Sequence, residues 1–129
     1  AIIVHHGGGS ASHDIAQYGI KAQTDRKTLE KALDTVGSVT FVDDVVNYIA
    51  ALVRATRESP DLEVGASPRA GAMLARAARA RATLDGRSYV IPDDLKALAV
   101  PALRHRVILS PAAQIDGRLV EQIVSDLVD

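Results

Sequence analysis

The chain has 129 residues, 47% apolar and only 3% aromatic, with no tryptophan and one phenylalanine. That length suits one domain, the apolar share excludes a disordered chain, and the scarcity of aromatics leaves a core of Leu, Val, Ile and Ala, which suits packed helices. A formal net charge of −1 does not mark a nucleic-acid binder by bulk electrostatics; the lack of cysteine excludes disulfides and thiolate metal sites and fits a reducing cytoplasm; no apolar run approaches the ~18 residues of a membrane span.

The chain opens AIIVHHGGGSASHD, without Met, which hints at a longer parent, and without the basic-then-apolar order of a signal peptide. Gly7-Gly8-Gly9-Ser10 reads as a linker. A phosphate loop needs G-x-x-x-x-G-K-[ST] between strand and helix, and no lysine follows here. His5, His6 and His13 have only Asp14 as a nearby carboxylate, too few ligands for a metal site. Residues 1–24 are taken as a connecting segment and 25–129 as a helical domain.

A weak helix is expected over about Asp25–Leu33, capped by Thr24, with a short extended piece at Val36–Val42. A clear helix starts at Asp43 and runs to about Arg57, with Val45, Val46, Ile49, Leu52, Val53 and Thr56 on one face. Glu58-Ser59-Pro60-Asp61 turns the chain. The Ala-rich stretch from Ser67 to about Leu84 is helical, with Met73, Leu74, Ala77, Ala78, Ala80 and Leu84 on its apolar side. Asp85-Gly86-Arg87 ends it, with Gly86 suited to a left-handed cap.

Ser88-Tyr89-Val90 reads as a tiny strand able to pair near Val39–Phe41. Pro92 followed by Asp93 and Asp94 is a strong helix start. Its buried face is Leu95, Leu98, Ala99, Ala102 and Leu103, and Pro101 should kink or interrupt it. Val107-Ile108-Leu109 is extended, Pro111-Ala112-Ala113 turns, and a last helix from about Arg118 to Leu127 buries Leu119, Ile123 and Leu127. The fold class is mainly α: a small bundle of five helices with two or three very short strands.

Arg69 poses a local problem. Ser67 can cap its helix and Pro68 needs no amide partner there, but free amides and the helix dipole make that end positive. An arginine there is mildly unfavourable unless an anion is near. One reading is a phosphate clamp of helix N-terminus plus guanidinium. The other is an exposed ion pair with Asp61 or Glu63. Arg76, Arg79, Arg81 and Arg87 form a scatter rather than a stripe and read as a solvated or subunit-facing surface. Arg104 and Arg106 complement the negative end of a helix, or face a neighbouring subunit or its nucleotide. No Ser-His-Asp set, carboxylate pair or magnesium-holding acid pair stands out, so no catalytic centre is visible.

Four pieces, ATRESP, GASPRA, LDGRSYVIPDDLKALA and PALRHRVIL, follow one another within Arg54 to Leu109. In that order and spacing the run resembles the C-terminal lid subdomain of MoxR-type AAA+ ATPases. VDDVVNYIAALV resembles the family's first long lid helix, and HHGGGSASHDIAQYGI occupies the place of the segment joining core to lid. The resemblance implies an AAA+ lid fold. It makes Arg69 the second-sensor arginine, supported by Ser67 and Pro68 and reaching the terminal phosphates of ATP held between core and lid.

The same resemblance implies a parent that uses ATP and Mg2+ and forms a ring, expected to be a hexamer. It also implies a chaperone-like role in maturing complexes or inserting cofactors, partners with a von Willebrand factor A domain, and a cytoplasmic setting. The core, with its phosphate loop, magnesium-binding acids, first sensor and arginine finger, is absent from this sequence, so these residues alone should not hydrolyse ATP. Ile91 stands where the family usually has a Thr or Ser cap, which should leave that helix end less well capped. The alternatives are an independent helical interaction module and, behind it, a DNA-binding helical domain.

Overall fold

The computed structural model describes Gly19 and residues 21–128 of a chain that divides into two units, Ala1–Ala32 and Leu33–Asp129. Helix α1, Arg26–Ser38, crosses that division. Its cap is Asp25 rather than Thr24: Asp25 Oδ1 accepts the Thr28 N–H at 2.7 Å. Arg26 pairs with Glu30 one turn on at 2.7 Å. The helix runs on through Val36, Gly37 and Ser38, which were expected to be extended. Propagation adds a hydrogen bond per residue once a helix exists, and one glycine subtracts only ~1 kcal/mol.

The second unit continues with α2 (Asp43–Glu58), β1 (Leu62–Val64), α3 (Pro68–Leu84), α4 (Pro92–Leu103), β2 (Ile108–Leu109), α5 (Pro111–Ile115) and α6 (Val120–Val128). The class is mainly α, with six helices among the described residues instead of five. The extra one is α5, where a turn was expected. Ser110 Oγ accepts the Ala113 N–H at 3.3 Å and Pro111 takes the first helical position, so the turn closes as a short helix. β1 and β2 pair antiparallel, Leu62 opposite Leu109 and Val64 opposite Ile108. β1 was not foreseen, because three residues hold too little alternation to announce a strand. The pairing expected between Val39–Phe41 and Ser88–Val90 forms as a single parallel bridge, Thr40 to Tyr89.

Leu74, Leu95, Leu103, Ile123 and Val124 are fully buried at the centre of the second unit. α2 buries Val45, Ile49, Leu52, Val53 and Thr56, while Val46 is left half exposed. α3 buries Ala70, Gly71, Leu74, Ala78 and Ala82, a row at three- and four-residue spacing. Met73 and Leu84, expected inside, are exposed. The face was decided by close approach rather than by side-chain size: a Cβ on Gly71 would meet Val53 Cγ2 at 3.0 Å. α4 runs through Pro101 without interruption, because the missing amide bond falls in the last turn only. α6 starts at Val120 rather than Arg118. Leu119 is left exposed just before it, and Val124 and Val128 join Ile123 in the core in place of Leu127, which is half buried.

Candidate functional site

The start of α3 is held in place by two residues of its own motif and one of α2. Thr56 is buried; its Oγ1 donates to the Val53 carbonyl at 2.7 Å and accepts the Ala66 N–H at 2.9 Å. Gly65 passes directly over α2. A Cβ there would sit 2.6 Å from the Arg57 backbone nitrogen and Cα, so only glycine fits. With Gly65 and Ala66 pinned, Ser67 turns in as the N-cap. Its backbone is extended, its Oγ accepts the Ala70 N–H at 3.3 Å, and Pro68 is the first helical residue. Arg69 is therefore presented at the second position of α3, exposed, on a short rigid path from the core.

Neither acid proposed as its partner holds it. Asp61 lies 3.4 Å from Arg118, and among the described residues no carboxylate pairs with Arg69. The Arg69 N–H has no carbonyl one helical turn back to bond. Guanidinium, free amide and helix dipole thus point the same sign of charge outward from one spot.

Alongside lies an open groove of about 620 Å3 between α2 and α3. Val46, Ile49, Ala50, Val53, Gly71, Ala72 and Ala75 make it apolar, Phe41 lies at the end where α2 begins, and Arg54, Arg57 and Glu58 lie where α2 ends, next to Pro68. The Arg79 guanidinium stacks over the Phe41 ring, 4.8 Å from its centroid. The Arg79 Nε is buried with no hydrogen-bond partner among the described residues.

The far end of α3 is built differently. Gly86 adopts φ +72°, and the Arg87 N–H reaches back to the Ala82 carbonyl at 2.8 Å, closing the helix with a left-handed cap. This turn aims the Arg87 side chain at Asp94, 1% exposed in the first turn of α4. Arg87 grips both Asp94 oxygens, at 2.8 and 2.7 Å, and also bonds Asp85 at 2.9 Å and the Tyr89 carbonyl at 3.0 Å. Arg81 adds a longer contact to Asp94 at 3.4 Å.

Hydrogen bonds from Arg87 hold the Asp94 carboxyl below the usual carboxylate range. Burial opposes them, and the Ile91 N–H and the charges of Arg87 and Arg81 assist. The same bonds, to Asp94 first and Asp85 second, push the Arg87 guanidinium above its ordinary value.

Arg87 is thus not the scattered surface cation expected but grips one buried acid, while Arg81, exposed as expected, makes only the longer contact to it. The α4 start lacks a side-chain cap, as expected from Ile91, and gains a partial replacement. Ile91 offers no side-chain acceptor, but Asp94 Oδ2 accepts the Ile91 N–H at 3.0 Å, half of a capping box. The signal in the sequence was the arginine just past a glycine cap and the acid at the third helical position of LDGRSYVIPDD. Their pairing depends on the turn between them.

Arg104 and Arg106 sit at the end of α4. The Arg106 Nε donates to the Ala102 carbonyl at 3.1 Å, as a helix-end cation should. The Arg104 Nε donates to His105 Nε2 at 3.2 Å, and its guanidinium lies 3.7 Å from Glu121. His5, His6 and His13 lie outside the described residues. Among those described, no three His, Asp or Glu side chains converge on a possible metal, and no helix is long and apolar enough to cross a membrane.

Residues 54–127 match the family model of the AAA lid domain. Protein YeaC of Bacillus subtilis, of uncharacterized function, is 41% identical over 93 residues, 72% of this chain and 29% of that protein. Protein MoxR of Methylorubrum extorquens is 45% identical over 64 residues, 50% of this chain and 18% of its own length. Chaperone MoxR1 of Mycobacterium tuberculosis is 38% identical over 90 residues, 63% of this chain and 24% of its own. The crystal structure of a candidate ATPase from Cytophaga hutchinsonii superposes with a TM-score of 0.70 at 35% identity, covering 74% of this chain and 32% of that one. The chain spans less than a third of the length of each of these relatives.

Proposed function

This chain belongs to the AAA lid domain family, with MoxR proteins among its relatives, and we propose that it is the nucleotide-sensing lid of a MoxR-like ATPase. The observation that carries the reading is the placement of Arg69. A cation stands exposed at the capped, positive end of α3, without a carboxylate partner among the described residues. That combination fits the terminal phosphates of ATP, which take charge-assisted hydrogen bonds from a guanidinium and from helix amides.

In this reading Arg69 contacts the phosphates when a core domain closes beneath α3. Ser67, Gly65 and Thr56 hold its position. The guanidinium stabilises charge on the phosphoryl group in the transition state, and losing the terminal phosphate removes the contact that keeps the lid closed. The phosphate loop and the ligands of the accompanying magnesium belong to the parent core. A ring of copies, a partner with a von Willebrand factor A domain, a chaperone-like role and a cytoplasmic setting go with the same reading. A helical module with no nucleotide role is disfavoured, because the family match spans residues 54–127, Gly65 to Ala70 among them.

The test is ATP turnover by the full-length parent carrying Arg69→Ala. Turnover should fall by roughly ten- to a thousandfold, the range for removing one charge-stabilising group. Unchanged turnover together with an unchanged response to nucleotide would remove Arg69 from the mechanism.

A further inference from the structure

Arg69 stands between two pieces of backbone that α2 holds. Before it, Gly65 crosses α2 so closely that a Cβ would meet the Thr56 carbonyl oxygen and the Arg57 backbone at 2.6 Å, and Ala66 is fully buried. After it, Ala70 is buried, and a Cβ on Gly71 would meet Val53 Cγ2 at 3.0 Å and Ile49 Cγ2 at 3.4 Å. The contacts on both sides fall on α2 between Ile49 and Arg57.

Close packing fixes distance; a hydrogen bond also fixes direction. The Thr56 hydroxyl has one proton and gives it to the Val53 carbonyl at 2.7 Å. What it turns toward the Ala66 N–H, 2.9 Å away, is therefore a lone pair. The bond to the carbonyl three residues back also holds the Thr56 side-chain torsion. Thr56 is fully buried, which keeps bulk water from competing for the bond. The Ser67 cap is different: its bond is longer, at 3.3 Å, and Ser67 is exposed. A cap ties the first turn of α3 to itself, whereas Thr56 ties it to another helix.

We propose that Thr56 is a positioning residue for Arg69. Through Ala66 it sets where on α2 the first turn of α3 begins, and so where the guanidinium stands. The inference rests on the phosphate reading of Arg69. Displacing a positioned group by about 1 Å can cost on the order of a hundredfold in rate.

The experiment is a double-mutant cycle on ATP turnover by the full-length parent, with Thr56→Val, Arg69→Ala and both together. Valine has nearly the shape of threonine but leaves the Ala66 N–H without its acceptor. Thr56→Val should lower kcat by roughly tenfold, and Thr56→Ser, which keeps the hydroxyl, should stay within about twofold of the wild type. In the Arg69→Ala background Thr56→Val should change kcat by less than about twofold, because no guanidinium is left to misplace. A purely structural Thr56 would give the same loss in both backgrounds and overturn the proposal. So would wild-type turnover by Thr56→Val, or a loss in Thr56→Ser as large as in Thr56→Val. Arg69→Ala by itself separates the two readings. If it leaves turnover unchanged, the phosphate reading fails and the positioning role with it; if it lowers turnover and Thr56→Val does not, only the positioning role fails. Hydrogen exchange at the Ala66 amide needs no disruptive variant and serves if Thr56→Val does not fold. It should be slow in the wild type and in Thr56→Ser, and exchange at the rate of an unprotected amide would overturn the proposal.

Discussion

At its C-terminal end α3 hands over to Arg87, which directs its donors to Asp94, Asp85 and the Tyr89 carbonyl; at its N-terminal end Arg69 reaches no carboxylate among the described residues. Both arginines belong to the sequence motifs of the lid, and both flank caps built with care. Arg87 is a cation used up inside the fold, and its partner Asp94 is buried to receive it. Arg69 is a cation left over by the fold, in the position where the helix dipole opposes it. An interior pair serves stability. An exposed cation at an unfavourable spot is what the proposed phosphate contact would use.

Three measurements would sharpen or break that contrast. The largest effect is expected from Asp94→Ala, which leaves Arg87 and the Ile91 N–H without their acceptor; urea denaturation should show a loss of about 2–3 kcal/mol. Next is the acid limb of stability. Asp94 has its folded pKa below the ordinary value, so the unfolded chain binds the proton more tightly. Its contribution is complete above the ordinary Asp pKa of about 4 and fades as pH falls from there through the folded value. Melting profiles of the wild type against Asp94→Asn should diverge above that region and converge below it. Asp25, lowered chiefly by its bond from the Thr28 backbone, adds to the same limb in both proteins and cancels in the difference.

The smallest effect is expected from Arg69→Ala in the isolated chain, a change within about 0.5 kcal/mol and in the stabilising direction, since a misplaced charge is removed. If Arg69→Ala destabilised as strongly as Asp94→Ala, both ends of α3 would be structural and the contrast would be gone.

Much of the site could be read before the fold was known. Ser67-Pro68 announces a helix start, Arg69 follows in the wrong electrostatic place, and Pro92 with two aspartates announces α4. The start of α2 at Asp43 and the left-handed Gly86 were equally legible, because each depends on residues within one turn. Gly65 was legible only as part of a motif. Its reason, a backbone crossing 2.6 Å from α2, is a tertiary fact. The exposure of Met73 and Leu84 escaped a reading based on apolar periodicity, since the buried row of α3 is the one whose Gly71 lets α2 come close. β1 exists because β2 lies beside it.

Local chemistry was sufficient for the helical class, for most helix starts and for the oddity of Arg69, because caps, prolines and dipoles act over a single turn. Packing in three dimensions chose which face of α3 is buried, paired Arg87 with Asp94, and laid Arg79 over Phe41. Those outcomes depend on how closely two backbones approach and where a turn aims a side chain, and neither distance nor direction is written in residues taken one stretch at a time.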